Sequence, residues 1–231
     1  MYTALELAAV RGDESLAELA VSKGAKVAML DPYSRTPLHL AAMYNRPEVI
    51  RILVKSGAHI NATNASFETP LFQAAAWESM QAMKVLLELG ADMTGADTFP
   101  PAHMLAGYGE VECMSVFIDA GLDLSFRDML GATVLHEAVA KKDRVEMVEY
   151  LLGRGARGII NAQDHNGNTP LHAVAIQGRG ADLAKLLLDN GADTKVENKL
   201  GYTSLDLAVM LGEDSMARAL LEFRGNISDQ E

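Results

Sequence analysis

The sequence predicts an all-α repeat solenoid of helix-turn-helix units, and three observations carry that prediction. A short motif recurs, as Thr36-Pro37-Leu38-His39-Leu40-Ala41-Ala42, Thr69-Pro70-Leu71-Phe72-Gln73-Ala74-Ala75 and Thr169-Pro170-Leu171-His172-Ala173-Val174-Ala175. Weaker copies begin at Thr3, Pro100, Thr133 and Thr203, so that successive starts lie 33, 33, 31, 33, 36 and 34 residues apart. Each copy closes 21 or 22 residues on at a glycine: Gly24, Gly57, Gly90, Gly121, Gly155, Gly191 and Gly225. Such a period marks one supersecondary unit that cannot bury its apolar face alone and must stack on copies of itself.

Each element of the unit follows from its residues. The threonine hydroxyl caps the first helix, and proline at the next position loses nothing because that N–H has no partner within a helix. Leucine and then small residues, as in Ala8-Ala9, Ala41-Ala42 and Ala74-Ala75, let neighbouring helices approach closely and form the seam between units. A second helix follows with apolar spacing of three and four, such as Val49, Ile50, Ile52 and Leu53, and stops at a glycine able to take positive φ. Gly-Ala-Asp segments, at Gly90-Ala91-Asp92 and Gly191-Ala192-Asp193, then lead into a hairpin turn, whose chemistry is clearest in Asp164-His165-Asn166-Gly167-Asn168.

Motif and period together resemble the ankyrin-repeat family across residues 1 to 225. The resemblance implies one domain over 1–231, a curved stack of seven helix pairs starting near 3, 36, 69, 100, 133, 169 and 203, with β-hairpin fingers along one edge and a frayed tail at 226–231. Terminal units of such a stack are expected to be polar outside, and the family's histidine is replaced by Glu6 in the first unit and Asp206 in the last. The sequence departs from the pattern at Pro100-Pro101-Ala102-His103-Met104-Leu105, where the preceding finger is short and the seam bulky. Two extra residues fall in Gly155-Ala156-Arg157-Gly158-Ile159-Ile160-Asn161.

Composition narrows the function classes. A hydrophobic content of 49% suffices for a continuous core, so disorder is not expected. No apolar run reaches the roughly 18 residues a membrane span needs, and Met1-Tyr2-Thr3-Ala4-Leu5-Glu6 lacks a basic stretch followed by an apolar one, so a cytoplasmic protein is expected. The lone Cys113 can form no internal disulfide. A formal net charge of -11 opposes nucleic acid, whose binding rests on Lys and Arg replacing counterions, and favours basic partners. Capped ends and high charge point to a monomer.

Residues that invite a catalytic or metal reading have a plainer one. His39, His103, His136 and His172 share one repeat position, where an imidazole ties finger backbone to helix; spaced a whole unit apart, they cannot converge on one ion with bonds of about 2 Å. His136-Glu137 opens like a zinc-protease helix, but Ala140 stands where the second histidine would be. Cys113 falls at a helix-two position held elsewhere by Val49, Met147 or Leu183, a site for a small buried hydrophobe. No phosphate loop or nucleophile elbow is present, since Gly178-Arg179-Gly180 lacks the third glycine. Neither a catalytic residue, a metal nor a cofactor is expected.

The positions the fold leaves free are more telling. Eight residues past each start stand Arg11, Tyr44, Trp77, Tyr108, Lys141, Gln177 and Leu211, so three consecutive units carry an aromatic ring near the end of the first helix. Tyr33, Arg35, Glu68, Asp97 and Phe99 precede the same units, and Met43 and Leu130 extend the set. Tyrosine and tryptophan combine large apolar area with a polar handle and are enriched at the centres of interfaces. The expected function is a protein-interaction module or adaptor, binding a basic or apolar-anchored protein or peptide through the concave face and fingers of the second to fourth units. Two alternatives stand beside it. One is an aromatic cage for methylated lysine or another quaternary ammonium, with Glu68 and Asp97 as counter-charges. The other is a small-molecule or enzymatic pocket at the irregular fourth unit, using His103, Cys113 or Tyr108.

Overall fold

The computed structural model describes residues 3–94, 100–141, 144–178 and 180–228. Among them are fourteen α-helices, two for each of roughly seven units. Their packing separates two compact bodies, Met1–Leu105 with Glu112–Leu122, and Ala106–Val111 with Asp123–Glu231.

The first body contains α1 (Ala4–Arg11), α2 (Glu14–Ser22), α3 (Pro37–Met43), α4 (Pro47–Lys55), α5 (Pro70–Ala76) and α6 (Met80–Glu88). It also takes α7 (Pro101–Tyr108) as far as Leu105, and all of α8 (Val111–Asp119) but its first residue. Threonine starts the helices as expected: Thr3 Oγ1 accepts from Glu6 N at 3.2 Å and Thr69 Oγ1 from Phe72 N at 3.1 Å, while Pro37 and Pro70 fill the first helical position. First helices pack on first helices, α3 between α1 and α5, and second helices on second helices, α4 between α2 and α6. Leu38 and Leu71 are fully buried at these seams, together with Ala41, Ala42 and Ala74. Each such leucine contributes about 2 kcal/mol by leaving water, and the alanines let the helices approach.

The second body holds α9 (Val134–Val139), α10 (Val145–Gly153), α11 (Pro170–Gln177), α12 (Ala181–Asp189), α13 (Ser204–Met210) and α14 (Asp214–Ser228). Its packing repeats the same logic, with α11 between α9 and α13, and α12 between α10 and α14. The extra residues after Gly155 form one 3-10 turn, Ala156–Ile159, so they are absorbed locally and Ala156 is buried.

Four expectations need correction. No strand occurs among the described residues: the fingers are turns such as Asp31–Arg35, closed by Asp31 N to Arg35 O at 2.9 Å. Neighbouring fingers of the second body are joined by backbone bonds such as His165 N to Leu130 O and Lys199 N to Asn166 O, both 2.9 Å, too sparse for a ladder. Glu6 does not face water, since it is buried and accepts from Thr3 N at 2.7 Å, closing a capping box. The outer side of α13 is not polar throughout, because Val209 and Met210 are exposed where Ala42 and Met43 of the first body are covered by a following helix pair. Finally, Gly24, Gly57, Gly90, Gly121, Gly155 and Gly191 all take positive φ and end their helices, but Gly225 lies inside α14, which continues past Asn226 to Ser228. A glycine inside a helix costs only about 1 kcal/mol and does not by itself stop one.

Candidate protein-interaction surface

Where the first helix of a unit turns back into the second, one side chain is left outside the seam. Tyr44 caps the C-terminus of α3 and Trp77 that of α5, and each is followed by a residue with positive φ, Asn45 and Glu78. Because α3 and α5 lie side by side, these rings stand at neighbouring helix ends, with Tyr44 39% and Trp77 63% exposed.

The fingers of the first body add to this surface. Asp31 Oδ1 accepts from Tyr33 N and Arg35 N, each at 2.9 Å, which fixes the turn and holds Tyr33 outward. The Arg35 guanidinium is planted on Asp31 Oδ2 at 2.8 Å, lies 4.9 Å from the Tyr33 ring centre, and its Nη1 points at Met43 Sδ, 3.7 Å away. Burial pushes the Asp31 carboxyl up, but the backbone and side-chain hydrogen bonds from Arg35, then the Tyr33 backbone, hold it below its ordinary value. Met43 is itself buried, so its part is to seat Arg35 rather than to offer area. In the next finger, Glu68 Oε2 accepts from Asn64 Nδ2 at 2.8 Å and from Gln73 Nε2 at 2.5 Å. The carboxylate suggested as a cage counter-charge is thus already engaged internally. Asp97 and Phe99 lie outside the described residues.

Sequence reasoning missed one residue here. Phe67 is exposed at a finger tip with φ +59, in the register where Gly131, Gly167 and Gly201 sit in the fingers of the second body. A bulky L residue in that region is strained by about 1 kcal/mol or more, and glycine is not. The available signal was Phe67 standing in the glycine column two residues before the repeat start.

In the second body, Tyr108 ends α7 with its ring exposed and Lys141 Nζ 4.3 Å from its centre. Leu130 is exposed on a finger, its N–H held by Asp128 Oδ1 at 2.8 Å. Tyr108 and Leu130 therefore belong to a different body from Tyr44 and Trp77.

The histidines serve the frame. His39 Nδ1 lies 3.1 Å from Thr36 N and so accepts its proton, which leaves Nε2 to donate to Glu68 O at 3.0 Å. His136 and His172 repeat this toward Asn168 O at 2.9 Å and Tyr202 O at 3.0 Å. Burial, chiefly, pushes the basicity of all three rings below the usual histidine range. His103 is fully enclosed, and Cys113 is buried with Sγ 3.5 Å from Met80 Sδ. Among the described residues no three His, Cys, Asp or Glu side chains are grouped to hold a metal, and no helix is long and apolar enough to cross a membrane.

A family model for ankyrin repeats in three copies matches residues 5–97, 71–160 and 156–230. An ankyrin repeat-containing protein of Treponema pallidum (strain Nichols) is 32% identical over 118 residues, 51% of this chain and 39% of that protein. The chain thus spans well under two thirds of that relative's length. Among solved structures, the ankyrin repeat domain of Bcl-3 superposes with a TM-score of 0.82 at 27% identity, over 95% of this chain and 98% of that one. The human ASB11 ankyrin repeat domain gives 0.76 at 29% identity, over 96% and 98%. Helix pairs sharing leucine and alanine seams, the Thr-Pro caps and the family match lead to one conclusion: this chain belongs to the ankyrin-repeat family.

Proposed function

We propose that the chain is a protein-interaction module that docks a segment of a partner protein on the first body, against Trp77 and Tyr44 at the helix ends and Tyr33 and Phe67 on the fingers. Ankyrin repeats are in general binding modules for other proteins, and a rigid frame that leaves large rings outside its core is suited to that work. The observation that carries the reading is the exposure of Trp77, the only tryptophan of the chain, at a position the fold does not require to be aromatic. Contiguous exposed apolar area on a folded protein marks a contact site, and rings contribute most where the partner excludes water. The net charge of -11 favours a partner segment carrying Lys or Arg beside its apolar anchor.

Capture of partners from the cells that make this protein, with wild type and Trp77→Ala side by side, tests the proposal. A specific partner retained by wild type and lost by the variant is the expected result. A partner retained equally by both places the contact elsewhere.

A further inference from the structure

Each described finger is built on one Asp or Asn whose Oδ1 takes two backbone N–H groups, and the fingers differ in what holds the other side-chain atom. At Asp31 it is the Arg35 guanidinium, with Nε and Nη2 both 2.8 Å from Oδ2. At Asn64 the amide donates to Glu68 Oε2, and Gln73 on the following helix reaches the same oxygen. In the second body, Asn168 Nδ2 lies 3.5 Å from Asp164 Oδ2, and Asn198 Nδ2 donates to Asn168 Oδ1 at 3.0 Å.

Asp128 makes the same turn, its Oδ1 accepting from Leu130 N and Ala132 N at 2.8 Å each. The residue in the Arg35 register is Ala132, which ends at its methyl group. Among the described residues Asp128 Oδ2 has no hydrogen-bond partner, although the residue is only 7% exposed. The helix position from which Gln73 serves its finger is held here by Glu137, a second carboxylate. Burial, and then the charge of Asp128, push the Glu137 carboxyl above its usual range, with Lys141 opposing them. Lys141 lies over the Tyr108 ring, and the Arg127 guanidinium is committed to the carbonyl oxygens of Gly131 at 2.8 Å and of Gln163. A Cβ at Gly107 would stand 3.7 Å from Glu137 Oε2, an ordinary contact distance, so this carboxylate lies beside the end of α7.

We propose that Asp128 and Glu137 form a subsite for an arginine side chain of a partner segment, whose guanidinium bonds Asp128 Oδ2 as the Arg35 guanidinium bonds Asp31 Oδ2. The turn itself does not need the negative charge, because Asn64 and Asn198 hold the same turn with a neutral amide. A buried carboxylate oxygen without a donor, within reach of the charge of a second carboxylate, is costly to a fold and is relieved by one planar cation with several N–H groups. A metal ion fits less well, since only two carboxylates are present. The inference stands apart from the surface proposed above, which lies on the first body.

Two measurements test it. Ala132→Arg copies the first finger and is expected to raise the melting midpoint in the wild-type background and not in Asp128→Asn. N-acetyl-arginine amide, titrated while following the amide resonances of Leu130 and Ala132, is expected to give saturable shifts. Binding should be weakened about tenfold in Asp128→Asn, weakened in Glu137→Gln and abolished in Ala132→Arg. N-acetyl-citrulline amide, of the same shape without the charge, should not bind. The subsite is overturned if arginine gives no saturable shift in wild type, if citrulline binds as well as arginine, if Asp128→Asn binds undiminished, or if Ala132→Arg changes the midpoint equally in both backgrounds. Because Asn serves in equivalent turns, loss of folding does not confound Asp128→Asn.

Discussion

The Nε2 of His39 donates to the carbonyl oxygen of Glu68 across 3.0 Å, so a side chain of one unit holds the finger backbone of the next, 29 residues on. The Nδ1 of the same ring accepts from Thr36 N, and both bonds are sheltered because His39 is fully buried. His39→Ala removes the tie and leaves the Glu68 carbonyl without its donor. It is expected to cost about 2 to 4 kcal/mol in denaturant unfolding, and to raise amide exchange in the Asn64–Thr69 finger more than in α1. Uniform exchange across both would mean that the bond does not hold the finger.

Burial, more than any neighbouring charge, holds His39, His136 and His172 below the ordinary histidine value of 6.5. The unfolded chain therefore takes up these protons first as pH falls. The stability they supply is complete above 6.5 and is lost as pH drops below it toward the folded values. Glu137 acts in the opposite sense: its raised carboxyl supplies stability below 4.5 that is lost as pH rises through its folded value. Comparison with His39→Asn isolates one histidine. Wild type should lose more unfolding free energy than this variant between pH 7.5 and pH 5.5; parallel losses contradict the assignment.

Phe67 and the fold are at odds. Phe67→Gly relieves a positive φ of 59 on a bulky residue and should leave stability unchanged or raise it by up to about 1 kcal/mol, although glycine loosens the unfolded chain. Partner affinity should fall in the same variant. A clear loss of stability would show that the ring packs against the frame.

Trp77→Ala is expected to change the unfolding free energy by less than about 1 kcal/mol, because the indole is mostly in water, while weakening partner binding by about 2 kcal/mol or more. Equal losses in both would assign Trp77 to the core.

Leu171→Ala opens a hole at a seam position that is 1% exposed, and should cost about 2 to 5 kcal/mol, read by chemical denaturation. A cost below about 1 kcal/mol would mean that α11 does not pack through this leucine.

Much of the fold was legible because a repeat states its rules several times. Thr69 before Pro70, Leu71 after it and Gly90 at the end of the second helix each have a local physical reason, and seeing the set recur separates rule from accident. Exposure of the rings was legible in the same way, since Tyr44 and Trp77 occupy a column with no common chemistry. The short range of these signals sets their limit. The bond from Thr3 N to Glu6, those from Asn64 and Gln73 to Glu68 and the 3-10 turn after Gly155 all lie within five residues along the chain, yet residue type alone does not say which of the bonds open to each side chain is made.

From the sequence alone came the helix pairs, their period and their caps, because each depends on residues close along the chain. Tertiary structure decided which polar atoms find partners. Asp31 and Asp128 open the same turn, and the residue four places on, Arg35 or Ala132, is legible in the sequence; that Asp128 Oδ2 is buried and meets no donor among the described residues was decided by what packs around it, since burial is set by neighbouring units.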